Sequence, residues 1–442
     1  GSLERVIGLE GSGNPISRWL GGEDWFAYAK LANAALAVSW GLLQTAVFIR
    51  VLGVGGFAEL VLMQALGLYL IGSDLGMSKV VFAKLRRASI RRQSFGSVRG
   101  ADGVLGLYIW AVGLGTIILV IVSPSRPSGA VSGLEMALFF SLVGTGLPWM
   151  MAKYLALATD DYLFPELVEV VRRLVTSCLL LLMLFGLPFL SFLIVGNAVM
   201  ALGLALTLRR IRHRTGLSVP LTPAGAYQGA LFFSDQARES GAAAIFTVSE
   251  LILYLGPFMF VRVWFGEVAL VIFDTFYKVQ RLGITSAKLP ADVLIPSQTA
   301  AFFSGDADTV RRLIRRVLVL SLVPALAAGV FIIIFGRAAF GLLLGDDMVI
   351  SSSVRFAMAA GIVGVAVQNT YGSFLVHTGH FRECARWSAF VAGGVLALFS
   401  WAAWTRPSIE TLLSVYVGLF TVSAIGYWRV GRRNVRYRSD SK

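Results

Sequence analysis

Apolar runs of about 20 residues, the length a helix needs to cross a ~30 Å hydrocarbon core, recur along this whole chain with only short charged connections between them. Twelve such runs fall near residues 26 to 50, 56 to 82, 101 to 123, 131 to 157, 166 to 186, 188 to 208, 236 to 260, 267 to 295, 313 to 335, 351 to 377, 386 to 404 and 409 to 428. Hydrophobic residues make up 56% of the 442 and charged ones only 14%, and the mean hydropathy is +0.74. These values exclude an ordinary soluble domain, and the chain reads as an all-α polytopic membrane protein. The short connections leave no room for a soluble catalytic domain.

The net charge of +14 is unevenly spread. Lys84, Arg86, Arg87, Arg91 and Arg92, then Arg209, Arg210, Arg212 and Arg214, then Arg311, Arg312, Arg315 and Arg316, then Arg382 and Arg386 fall in alternate connections, and Arg429 to Lys442 add a basic tail. The other side carries Arg126, Arg262, Arg337, Arg406 and Arg50. The positive-inside rule therefore predicts cytoplasmic termini and an even number of spans. The charge is a topology signal with anionic headgroups as its partner, and nucleic acid is not expected as one. Residues 1–24 lack the apolar core of a signal peptide, so the first span is expected to act as an uncleaved anchor. Cys178 and Cys384 have no metal-ligand spacing, which predicts free thiols.

An internal repeat divides the chain. VFIRVLGVGGFAEL, ending the first run, matches MFVRVWFGEVALV, ending the seventh, and Arg50 and Arg262 lie 212 residues apart. The repeat predicts two six-helix lobes around a central cavity. Residues 1–24 form an N-terminal segment, 25–210 the first lobe, 211–227 an inter-lobe linker, 228–428 the second lobe and 429–442 the tail.

The eighth run is too charged for a lipid-facing helix. Asp274, Lys278, Arg281, Thr285, Lys288 and Asp292 follow one another at steps of four and three, which puts them on one helical face. At ~1.5 Å per residue from Glu267, Lys278 and Arg281 lie about 17 and 21 Å deep, where a charge must face protein or water. Arg281 offers a bidentate fork to phosphate, and Lys278 and Lys288 act as point charges. The i, i+4 pairs Asp274–Lys278 and Lys288–Asp292 also permit internal neutralisation, whereas Arg281 has no such partner on its own face. Glu166 and Glu169 with Arg172 and Arg173 read as a self-paired helix end.

Several stretches resemble Wzx-type polysaccharide flippases: RVLGVGGFAELVLMQALGLYLIGSDLGMSKVV with its Asp74-Leu75-Gly76, VSELILYLGPFMF, VIFDTFYKVQRLG, the run from Asp292 to Asp306, and GLLLGDDM. The resemblance implies the multidrug/oligosaccharidyl-lipid/polysaccharide (MOP) exporter superfamily, with its MATE-like fold. It also implies that basic residues of the first, fourth and eighth spans line the cavity, which adds Lys30 and Lys153 to Lys278, Arg281 and Lys288. Snorkelling to headgroups is the competing reading for Lys30 and Lys153. On this likeness the expected substrate is a polyprenyl-diphosphate-linked oligosaccharide, carried across a bacterial inner membrane for surface polysaccharide synthesis. Membrane lipids and polysaccharide polymerase or assembly proteins are the expected partners.

Glu250 and Asp74, each inside an apolar run, are candidates for H+ or Na+ coupling, with salt-bridge gating as the alternative reading. Asp274 and Asp292 join them as gating candidates. Gly256-Pro257, Pro290, Pro296 and Pro324 are expected to bend the second lobe. No ATP-binding, zinc-protease or glycosyl-transfer motif is present, and no cofactor is expected. The alternatives to a flippase are a MATE-like exporter of organic cations, a membrane-embedded glycosyltransferase or polymerase, and a scaffold for polysaccharide assembly.

Overall fold

The computed structural model describes residues 22–90, 100–122, 131–159, 161, 163–216, 221–239, 241–345, 350–378 and 380–439. They form fourteen helices: α1 (Gly22–Gly72), α2 (Met77–Ile90), α3 (Ala101–Val122), α4 (Gly133–Gly144), α5 (Gly146–Ala158), α6 (Leu163–Met183), α7 (Phe189–Thr215), α8 (Pro223–Glu239), α9 (Gly241–Tyr254), α10 (Gly256–Ser304), α11 (Ala307–Leu344), α12 (Ser352–His377), α13 (Phe381–Thr405) and α14 (Ile409–Ser439).

Among the described residues, nine stretches are long and apolar enough to cross a membrane. Two of them, Tyr28–Gly72 and Ala244–Ala291, run to 45 and 48 residues, more than twice the ~20 a bilayer requires. Each is a hairpin. Gly53 (φ 72°) and Gly266 (φ 85°) carry the only non-helical dihedrals inside α1 and α10, and a left-handed φ favours a residue without Cβ. Across the first reversal Gln44 Nε2 donates to Gln64 Oε1 at 3.4 Å. Across the second, the rings of Phe258 and Phe273 lie 5.0 Å apart. Residues that far apart in sequence meet only if the chain turns back, so each stretch supplies two crossings. With α6, which carries Glu166, Glu169, Arg172 and Arg173, the crossings among the described residues number twelve.

The two reversals sit three and four residues after Arg50 and Arg262, so the repeated motif marks the same structural event in each half. At this end of the bundle the halves touch, with Arg50 donating to the Leu342 carbonyl at 2.9 Å; Arg262 pairs within its own half, with Glu267 at 2.7 Å. The opposite end gathers the arginine-rich helix ends of α7, α11 and α14.

Aromatic packing holds the first half together. Phe48 makes edge contacts with Phe139, Phe189 and Phe192, at 5.9, 5.5 and 5.9 Å. Outward-facing Ile118, Phe185, Val323 and Phe335 remain exposed, as they should against lipid. The prolines act less than their sequence positions suggest. Gly256-Pro257 does open a new helix after Tyr254, but α10 continues through Pro290 and Pro296, and α11 through Pro324. Membrane helices tolerate such residues when neighbours satisfy the freed carbonyls.

The helix that follows the first half, α8, lies along α3. The Trp110 indole donates to the Leu221 carbonyl at 2.9 Å, and Gly225 and Gly229, four apart, cross the backbone at Gly103. Small residues four apart permit this closeness between membrane helices. A Cβ at Gly229 would stand 2.2 Å from the Gly103 carbonyl oxygen, a backbone atom that no rotamer change can clear. Gly229→Ala is therefore expected to lower stability by ~1–3 kcal/mol through overpacking, read as a fall in melting temperature in detergent, whereas Gly41→Ala, with open space around it, should leave it unchanged.

Candidate functional site

Between the halves lies a cavity of about 270 Å³, walled by Ala37, Trp40 and Gln44 of α1, Phe139 and Leu142 of α4, Arg172, Arg173 and Thr176 of α6, and Lys278, Arg281 and Thr285 of α10. Its position follows from the helices. The α1 residues precede the Gly53 reversal by 9 to 16 residues and the α10 residues follow Gly266 by 12 to 19, so the cavity lies well away from the end where the halves touch. Arg281 is exposed, and so is Lys288 two turns further along α10. The cavity therefore communicates with the arginine-rich end.

On the α10 side, Lys278 is paired and almost buried. Its Nζ donates to Asp274 Oδ2 at 2.6 Å and to Thr45 Oγ1 of α1 at 2.7 Å, and it lies 5.0 Å from the Phe57 ring centroid. The spacing of four makes the ion pair, and the Thr45 bond reaches across to the other half. Asp274 is fully buried, with Oδ1 lacking a partner. Arg281, one turn on, makes no ion pair among the described residues; its guanidinium lies 6.0 Å from the Tyr277 ring.

On the α6 side, Glu169 is a hub. It accepts from Lys153 at 2.7 Å, from the Trp149 indole at 3.0 Å and from Arg173 at 2.7 Å, and Arg172 comes within 3.5 Å. Lys153 also pairs with Glu166 at 2.8 Å, and Asn33 donates to Glu166 at 2.8 Å. Arg172 further contacts Met200 and leaves its Nε without a partner. Arg172 and Arg173 are thus held by the hub while presenting part of their surface to the cavity.

The charges do not cancel. The α6 side sets three cations against two carboxylates, and the α10 side sets two cations against one, leaving a surplus of two positive charges. None of the residues lining the cavity is acidic.

The residues singled out in the sequence separate into groups. Lys278 and Arg281 line the cavity, and Asp274 lies behind Lys278. Lys153 is engaged by Glu166 and Glu169, an arrangement other than snorkelling, and Lys30 and Lys288 are off the cavity wall. Asp74 accepts from the Ser78 backbone and hydroxyl and from Tyr108 at 2.9, 2.6 and 2.6 Å, so it caps the start of α2. Glu250 stands within the second half, where Ser388 donates to it at 3.4 Å and itself bonds Tyr427 at 2.7 Å. The Asp292 side chain lies outside the described residues. Sequence reasoning set aside Arg172 and Arg173 as self-paired; their wall position depends on how α6 faces α10, for which the sequence carries no signal. No cluster of three or more potential metal ligands occurs among the described residues.

Asp274 is the ion-pair partner of the buried Lys278, so Asp274→Asn is expected to cost ~3–5 kcal/mol, as for breaking a buried pair from one side. Melting in detergent should show that loss, and Asp274→Asn combined with Lys278→Met should recover most of it.

No family model and no curated protein matches this sequence. Solved structures do. A MATE family multidrug-resistance transporter of the MOP superfamily, in an inward-facing conformation, superimposes with a TM-score of 0.70 at 13% identity, over 94% of this chain and 99% of that one. A mutant of the MATE transporter VcmN of Vibrio cholerae gives 0.67 at 14%, over 93% and 96%. A MOP superfamily transporter from Pyrococcus furiosus, described by the reverse polarity of its binding pocket, gives 0.64 at 13%, over 94% and 95%. The chain is a multi-pass membrane protein with the two-lobed fold of MATE transporters.

Proposed function

We propose that this protein is an alternating-access transporter that moves an anionic, lipid-linked substrate outward, with a polyprenyl-diphosphate-linked oligosaccharide as the substrate class. The observation that carries this reading is the cavity wall: Arg172, Arg173, Lys278 and Arg281 line it without an acid among them. A diphosphate, with two or more negative charges, complements the surplus of two. Arg281 would take a phosphate bidentately, being the wall cation with no ion pair of its own among the described residues. The volume of about 270 Å³ lies just under the ~300–1,000 Å³ of ligand pockets. It suits a charged headgroup, with the glycan in the mouth and the prenyl chain in lipid.

Reading the arginine-rich end as cytoplasmic, by the positive-inside rule, the cavity is open inward. Transport of a dianion outward across an inside-negative membrane is then downhill by ~2.3 kcal/mol per charge per 100 mV. Glu250, in its Ser388–Tyr427 setting away from the cavity, is the candidate for H+ or Na+ coupling that resets the carrier.

A second reading, export of small organic cations, draws on the likeness to multidrug MATE transporters. It asks for acids in the wall, which the lining lacks, and the Pyrococcus furiosus neighbour's reversed pocket polarity is a precedent for this fold departing from that pattern.

The test is transport in proteoliposomes of a fluorescent polyprenyl-diphosphate sugar. Arg281→Ala and Arg173→Ala should each lower the initial rate at least tenfold, about 1.4 kcal/mol or more, without loss of folded protein. Undiminished transport in Arg281→Ala, or transport of ethidium in place of the lipid, would overturn the assignment.

A further inference from the structure

On the outer face of the second lobe, away from the central cavity, α11, α12 and α14 leave an apolar groove of about 720 Å³. Its floor is built of small residues: Gly329 of α11, Ala359, Ala360 and Gly364 of α12, and Ala424 of α14. Gly329 lies against α12, where a Cβ would make an ordinary contact with the Ala359 Cβ at 3.4 Å, whereas Gly364 has nothing nearer than the Thr421 hydroxyl at 4.0 Å. The helices therefore meet at one crossing and gape beside it. Leu326, Val330, Phe356 and Ile425 form the rims and are exposed toward lipid. From Leu318 to Ile333 the groove follows α11 for 15 residues, about 22 Å at ~1.5 Å each, more than one leaflet of a ~30 Å core.

One end of this groove is charged. A second hollow, lined by Arg311, Ile314, Arg315, Leu318, Tyr371, Arg432 and Val435, shares Leu318 and Tyr371 with the first, so the two are continuous. Arg311 is partly occupied by Asp308 at 3.1 Å. Arg315 and Arg432 make no ion pair among the described residues, and the Arg432 guanidinium is placed at the mouth by Trp428, 5.1 Å from its ring. Aromatic rings of this kind favour the headgroup level of a bilayer. An apolar groove about 22 Å long, ending beside Trp428 and Tyr371 in two guanidinium groups that make no ion pair among the described residues, has the charge pattern of an anionic lipid.

We propose that this groove holds an anionic phospholipid of the leaflet at the arginine-rich end, with one acyl chain along α11 and α12 and its phosphate between Arg315 and Arg432. Bound there, the lipid bridges α11 to α14 and fills the gape beside the Gly329 crossing.

The experiment uses the full chain in detergent, titrated separately with phosphatidylglycerol, phosphatidylcholine and inorganic phosphate. Retained lipid is counted by native mass spectrometry and melting temperature is followed in parallel. Phosphatidylglycerol should be retained at one molecule per chain and raise the melting temperature, with neither effect from phosphatidylcholine. Arg315→Gln with Arg432→Gln should weaken retention roughly 30-fold, about 2 kcal/mol at ~1 kcal/mol per juxtamembrane cation, with the lipid-free melting temperature unchanged. Ala360→Phe, which fills the groove from its exposed side, should block retention while the arginines remain. Equal retention of phosphatidylcholine, a full shift from phosphate alone, no retained phosphatidylglycerol, or undiminished retention in both variants would each overturn the proposal.

Discussion

One carboxylate, Glu169, determines much of how this molecule can be arranged. Inside a membrane a cation must find a partner within the protein, and Glu169 serves three at once, with Lys153 contributed by α5 and Arg172 and Arg173 by its own helix. That concentration fixes α5 against α6 and gives α6 its charged face without exposing it to lipid. It also frees the far side of both arginines for the cavity. A wall built in this way has its counter-ion behind the cations and off the cavity surface.

The second lobe solves the same problem with a shorter set. Asp274 and Lys278 satisfy each other along one helix turn, and Arg281 is left over. The two sides therefore differ in kind: a hub in which acids are outnumbered faces a helix that carries one surplus charge. The central cavity is cationic because of what lies behind its wall as much as because of what lines it.

Much of the architecture was legible in the sequence for physical reasons. Serial apolar runs have few structural options in lipid, and the repeated arginine motif located both hairpin reversals to within a few residues, since a glycine follows it in each half. The charged face of α10 was legible because i, i+4 spacing is a local property, and with it Lys278, Arg281 and the Asp274 pairing. What stayed hidden was relational. Lys153 and Glu169 are 16 residues apart on different helices, so their contact depends on how α5 packs on α6. Asp74 looked like an intramembrane acid because the run around it is apolar; the helix break at 73–76 that turns it into a cap is a tertiary outcome. Gly225 was read as linker and Gly229 as the start of the second lobe, yet their spacing of four across that boundary is what lets α8 seat on α3.

Thr45 gives the interface between the halves a particular character. Lys278 keeps its ionic partner within its own lobe and reaches across to the Thr45 hydroxyl and the Phe57 ring, neither of them an ion. Separating the lobes at that level breaks one charge-assisted hydrogen bond, worth ~1.5–3 kcal/mol, and one cation–π contact, and leaves the Lys278–Asp274 pair intact. Had the acid been on α1 and the lysine on α10, separating the lobes would have split a buried pair, at a cost several kcal/mol higher. Placing the ion pair in cis and the alcohol in trans makes this a contact that can part without splitting a buried ion pair.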